Sequence, residues 1–256
     1  EMSRGLGDVY KRQLLCNGQS PKLFTTDKEL SSSLINQIYQ DRNGFIWIAT
    51  EDGLNRYDGA KFTRYKHEPN NEHSLAHNFV RTVFEDSKGH LLIGTYIGIQ
   101  MYDPATDNFT PLAKLEDTGE TLESNINSFI ERKNGEIWVS GNVLCKLDIE
   151  DHLLTVRKVD IAVTSPGSLF EDKKQNVWMA KGEEGVYQLT PDNQLTLHLS
   201  KDNGYVKSIC EDQRGNIYVG SIRKGLFIYD KERKTFVPVD LKEKGELPVC
   251  FLYWNR

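Results

Sequence analysis

The chain has 256 residues, of which 38% are hydrophobic, 10% aromatic and 27% charged, and its formal net charge is −5. That much apolar material suits a packed core and excludes a wholly disordered chain, while an acidic balance without a long Lys/Arg run excludes the basic face of a nucleic-acid binder. No apolar stretch approaches the roughly 18 residues needed for a membrane-spanning helix. The four cysteines, Cys16, Cys145, Cys210 and Cys250, show neither a CxxC nor a Cys/His spacing, so no zinc or redox site is signalled and they are expected to be small buried apolar residues.

In chain order, residues 1–20 are set apart from the fold. Glu1 to Gln13 match nothing downstream, and the run from Leu14 to Ser20 has the look of a signal-peptide tail, so this part is expected to be a disordered, non-native leader followed by a signal remnant. Leu23-Phe24-Thr25 then forms an edge strand. Next come five segments that align without a gap: QDRNGFIWIAT from Gln40, EDSKGHLLIGT from Glu85, ERKNGEIWVSG from Glu131, EDKKQNVWMAK from Glu171 and EDQRGNIYVGS from Glu211. Anchored on Asp41, Asp86, Arg132, Asp172 and Asp212, they recur every 45, 46, 40 and 40 residues, which is the spacing of propeller repeats.

Each column has a physical meaning. Three residues before the anchor stand Ile38, Val83, Phe129, Leu169 and Ile209, in a first strand (A) packed on both faces. Asp-x-x-Gly at the anchor is a type I turn signature; with Arg132 in the third repeat and Gln175 replacing Gly in the fourth, those two turns are expected to be less regular. Six residues after the anchor, Trp47, Leu92, Trp138, Trp178 and Tyr218 mark a buried strand B. Two further on, Ala49, Gly94, Ser140, Ala180 and Gly220 are small because another part of the chain comes close. Strand C begins near Gly53, Gly98, Gly185 and Gly225, and short D strands are expected at Phe62 to Tyr65, Phe109 to Leu112, Leu153 to Val156, Leu195 to Leu199 and Phe236 to Val239. Four antiparallel strands per repeat make a blade. The predicted fold is an all-β propeller with five complete blades (31–66, 76–113, 124–159, 165–200, 205–240) and the start of a sixth at 248–254, within one domain spanning 21–256. Its expected shape is an open arc.

The run QDRNGFIWIATEDGLNRYDG, Gln40 to Gly59, closely resembles the two-component regulator propeller repeat, and the second and fifth repeats resemble it almost as well. The resemblance covers roughly residues 20 to 254. It implies the sensor part of a Bacteroidetes hybrid two-component protein, in which two seven-bladed periplasmic propellers precede a β-sandwich, a membrane helix, a histidine kinase, a receiver and a DNA-binding domain. It further implies an oligosaccharide as ligand, control of glycan-utilisation genes through the parent's kinase, a periplasmic location in an inner-membrane-anchored sensor, a dimeric parent, and the remaining blades and second propeller as partners. Direct contact with nucleic acid is not expected of this part.

No catalytic constellation emerges, and neither a metal nor a cofactor is expected. His67, His73 and His77 cluster in a Pro/Asn/Glu-rich loop that supplies no rigid face for a metal, and no glycosidase carboxylate pair can be picked out. A sugar ligand would sit on the face formed by the B-to-C turns and D-to-A loops, where the polar and aromatic candidates are Glu51, His77, Tyr96, Asn142, Lys181, Arg223 and Lys224. The main alternative is a scaffold propeller that binds only protein. A propeller lyase or hydrolase is a third reading, and it would require converging acid/base residues.

Overall fold

The computed structural model describes residues 13–15, 22–26, 29–199, 204–222 and 224–239. The leader, Arg223 and the sixth-blade strand at 248–254 therefore lie outside the described residues, apart from Gln13–Leu15. Among the described residues every regular element is a strand. Strands β1 (Gln13–Leu15) and β2 (Lys22–Phe24) form a two-stranded antiparallel sheet, so the edge strand expected at Leu23 pairs with β1 and not with a blade.

The blades follow in sequence order. The first contains β3 (Ile35–Gln40), β4 (Ile46–Thr50), β5 (Gly53–Tyr57) and β6 (Phe62–Tyr65); the second contains β7 (Val80–Glu85), β8 (Leu91–Thr95), β9 (Ile99–Asp103) and β10 (Asn108–Phe109). After β11 (Lys114–Leu115), the third contains β12 (Ser128–Glu131), β13 (Ile137–Ser140), β14 (Leu144–Glu150) and β15 (Leu153–Lys158), with β11 as a fifth strand at its outer edge. The fourth contains β16 (Leu169–Glu171), β17 (Val177–Lys181), β18 (Gly185–Leu189) and β19 (Leu195–Leu199), and the fifth contains β20 (Val206–Glu211), β21 (Ile217–Ser221), β22 (Gly225–Asp230) and β23 (Thr235–Pro238). These antiparallel meanders are β-propeller blades. The chain divides into two compact units, Glu1–Ile126 with Ile149–Thr155, and Asn127–Asp148 with Val156–Arg256.

Where the anchor is an aspartate, it does two jobs in the A-to-B turn. In the first blade, Asp41 Oδ1 accepts the backbone N–H groups of Asn43 and Phe45 at 2.9 and 3.0 Å, while Oδ2 accepts the Trp47 indole N–H at 2.7 Å. Asp172 repeats this with Lys174, Asn176 and Trp178, and Asp86 holds the His90 ring at 2.7 Å. A buried carboxylate satisfied on both oxygens thus fixes turn and core ring together. Both turns expected to be irregular are regular. Gln175 adopts the left-handed φ of 67° that Gly44 takes at 87°, and the Gln175 N–H reaches the Asp172 carbonyl at 2.9 Å. In the third blade, Glu136 Oε2 accepts the Trp138 indole N–H at 3.0 Å in place of the missing aspartate, and the Arg132 guanidinium lies 4.5 Å above that ring.

Neighbouring blades within each unit are stitched through main chain. In the first unit, Gln37 both accepts the Val83 N–H and donates to the Val83 carbonyl, and Arg42 pairs with Glu85 at 2.7 Å while donating to the Asp86 carbonyl. In the second, Glu171 accepts the Lys133 N–H at 2.7 Å and Glu211 accepts the Lys173 N–H at 3.1 Å. The ammonium groups of Lys133 and Lys173 cap carbonyls of the following turn. Apolar packing fills the space between: Trp47, Leu54, Val83, Ile93 and Phe109 in the first unit, and Trp178, Val186, Val219 and Phe227 in the second. Gly94 is small of necessity, because a Cβ there would lie 2.5 Å from Thr82. Arg56 is tolerated among the rings of Phe45, Trp47, Tyr65 and Tyr102 because Asp107 pairs with it at 2.9 Å and also accepts both phenolic hydroxyls. Burial and that shared carboxylate push the Tyr65 phenol well above its ordinary range.

The cysteines divide. Cys145 is free and buried, whereas Cys210 is disulfide-bonded, which corrects the expectation of a plain apolar residue there. Cys16 and Cys250 lie outside the described residues.

Replacing Asp172 with Ala leaves the buried Trp178 N–H and two backbone N–H groups without their acceptor, so urea unfolding of the chain is expected to show a loss of about 3 kcal/mol. Two carboxylates of the second unit predict its acid response. Burial opposes ionisation of both, but hydrogen bonds from Lys146 and Trp138 bring Glu136 down from 4.5 to about 2, and those from Asn216 and Arg214 bring Asp212 below its usual value. Because the folded-state values are depressed, their contribution is present above the unfolded carboxylate range and is lost progressively as pH falls from that range through the folded-state values. Unfolding midpoints measured between pH 5 and about 2 should decline, and Glu136→Gln should flatten part of that decline.

Candidate ligand-binding surface

One end of each blade carries the B-to-C turn and the loop that enters strand A. In the first, second and fifth blades a backbone hydrogen bond joins the two: the residue ten after the anchor donates its N–H to the carbonyl of the residue seven before it. This is Glu51 to Leu34 at 3.1 Å, Tyr96 to Phe79 at 3.0 Å and Ile222 to Tyr205 at 2.9 Å. The two side chains therefore stand beside each other at the rim. In the third and fourth repeats the same columns hold Asn125 with Asn142 and Ser165 with Gly182. Leu34 (50% exposed), Tyr96 (54%), Tyr205 (47%) and Ile222 (64%) are among the most exposed large apolar side chains, and all four occupy these two columns. Core packing does not account for apolar residues placed there.

In the first unit this rim is an aromatic platform with polar flanks. The rings of His77 and Tyr96 lie 5.6 Å apart, Phe79 lies 6.1 Å from Tyr96, and the Arg81 guanidinium sits 5.5 Å from the Phe79 ring. His77 Nδ1 accepts the Phe79 N–H at 2.9 Å, which orients the ring and leaves the proton of the neutral imidazole on Nε2. Alongside, Asp52 pairs with Lys66 at 2.5 Å and accepts the Asn78 amide at 3.2 Å, while the Asn78 carbonyl oxygens hold the Gly53 and His67 N–H groups. Aromatic faces and fixed amide, carboxylate and ammonium groups side by side are the chemistry that holds a polyhydroxylated ring.

Among the sequence candidates, the structure brings His77 and Tyr96 together and places Glu51 beside Leu34 on the same unit's rim. In the second unit, Lys181 is engaged by Glu184 at 2.8 Å and Thr164 at 3.1 Å, Asn142 is exposed with its carbonyl accepting the Ser165 N–H, and Lys224 is exposed against Gly204. Arg223 lies outside the described residues. Leu34, Phe79, Tyr205 and Ile222 escaped the sequence reading; they could have been found by asking which repeat columns hold apolar residues outside the strands. Among the described residues no group of three His, Cys, Asp or Glu side chains could hold a metal, and no helix is long and apolar enough to cross a membrane.

The sequence profile described as the two component regulator propeller matches residues 29–52, 74–96 and 200–223, in the first, second and fifth blades. Those three stretches resemble the two component regulator propeller repeat. A curated relative, Histidine kinase P4 of Formosa agariphila, is 40% identical over 55 residues; the match spans 22% of this chain and 4% of that protein. Among solved structures, the extracellular domain of a putative one component system of B. thetaiotaomicron superposes with a TM-score of 0.65 at 19% identity, over 81% of this chain and 31% of the other. PorZ of Porphyromonas gingivalis, a bacterial surface component of the type-IX secretion system, gives 0.64 at 15% identity over 91% and 38%. Virginiamycin B lyase of Staphylococcus aureus gives 0.62 at 12% identity over 91% and 74%. These structural likenesses show the fold, and the chain spans about a third of the length of the first of them.

Proposed function

We propose that the chain is an extracytoplasmic, non-catalytic sensor segment of a hybrid two-component protein, and that it recognises an oligosaccharide on its loop-bearing rim. The observation that carries this reading is the His77–Tyr96–Phe79 platform, in which an exposed Tyr96 stands with the half-buried His77 and Phe79 rings, flanked by the Asp52–Lys66–Asn78 network. The regulator-propeller repeats and the histidine kinase relative support the signalling context. A disulfide at Cys210 supports an oxidising compartment such as the periplasm, since such bonds are rare in the cytosol. In this reading the kinase, the membrane anchor, the further blades and a dimeric assembly belong to the longer protein, whose output is the control of glycan-utilisation genes.

Calorimetric titration of the chain against a panel of plant and host oligosaccharides tests it. Saturable binding to one class is expected, weakened about tenfold by Tyr96→Ala, the effect of losing one ring contact together with its buried area. Absence of binding across the panel would overturn the reading in favour of a propeller that docks only protein.

A further inference from the structure

The second unit contains a rim contact that the first unit's platform does not use. Tyr205 and Ile222 occupy the same two repeat columns as Phe79 and Tyr96 and are joined by the same backbone hydrogen bond. Both side chains are exposed. The Tyr205 ring is not loose: it lies flat enough on Gly182 of the fourth blade that a Cβ at that glycine would stand 2.9 Å from ring carbon Cε2, and 3.2 and 3.4 Å from two others. Gly182 has a left-handed φ of 48°, and its carbonyl accepts the Val206 N–H at 2.9 Å, so the backbone that supports the ring is itself tied to strand β20. Absence of a side chain at 182 is thus what seats the tyrosine. Beside it, the Lys181–Glu184 ion pair supplies fixed polar groups at the start of the same turn.

We infer that Tyr205, seated on Gly182 and extended by Ile222, is a second stacking contact for a pyranose ring, separate from the one around Tyr96. The inference rests on the oligosaccharide reading. A sugar suits this place because a pyranose has an apolar C–H face that covers an aromatic ring while its edge hydroxyls reach polar neighbours. A ring backed by a glycine presents only its outer face, which is the face that such stacking uses. The fifth blade is also one of those that carry the regulator-propeller signature, over residues 200–223.

The experiment compares the wild-type chain with Tyr205→Ala, Tyr205→Phe and Ile222→Ser by titration with the oligosaccharide selected from the panel, with thermal unfolding recorded for each. All four proteins should unfold alike, because the altered side chains are exposed. Tyr205→Ala should bind about tenfold more weakly, Ile222→Ser should weaken binding to a smaller degree, and Tyr205→Phe should bind as wild type because it keeps the ring. If the wild type binds and Tyr205→Ala and Ile222→Ser bind equally well, the second contact is overturned while the sensor reading stands; that is also the result expected were this pair a protein-docking spot. If the wild type binds no oligosaccharide, the sensor reading falls and this inference with it.

Discussion

The fold depends on a carboxylate with two separate tasks. One oxygen of the turn aspartate gathers backbone N–H groups that would otherwise be buried without partners; the other holds the polar edge of the ring in strand B. A tight turn and a correctly rotated core tryptophan are therefore one event. The third blade reaches the same result from different residues, with Glu136 as the acceptor and Arg132 stacked on the indole. What recurs along the array is a satisfied ring edge beside a closed turn, and aspartate is the commonest way to supply it.

Once the blades are set in this way, the opposite end of each is free to vary. In the first, second and fifth blades the bond between the residue ten after the anchor and the residue seven before it is backbone to backbone, so it holds the rim whatever side chains stand there. Leucine with glutamate, phenylalanine with tyrosine, and tyrosine with isoleucine all occupy the same scaffold in different blades. Scaffold and recognition are thus divided between two ends of one repeat, which is how loop-borne function is usually arranged on a rigid fold.

Much of this was legible in the sequence, because a gapless repeat exposes each column to a physical reading. The paired strands, the buried aromatic of strand B and the tight site at Gly94 follow from period and residue type. Other features did not. Gln175 was expected to disturb its turn, but a single left-handed residue costs little when the surrounding bonds of Asp172 hold it. The expected D strand at Phe109 to Leu112 shortened to Asn108–Phe109, since Thr110 and Ala113 reach Met101 and Ile99 in a looser pattern. The rim pairs were missed because Leu34, Phe79 and Tyr205 look like the first residues of a buried strand; only their position one step outside the sheet distinguishes them.

The stitching between blades has a consequence for how such an array comes to exist. Arg42, Lys133 and Lys173 reach forward to the carbonyl groups of the following turn, and Glu85, Glu171 and Glu211 accept N–H groups of the preceding one. Every chain offers those backbone groups, so a blade copied by gene duplication brings both halves of its own junction and fits beside any neighbour that bends the same way. Beyond keeping the glutamate that also pairs with Arg42 or Arg132, junctions of this kind ask for little co-ordinated change in the adjoining blade. Repeats can accordingly drift apart in sequence, or be gained and lost, while the seams between them stay intact.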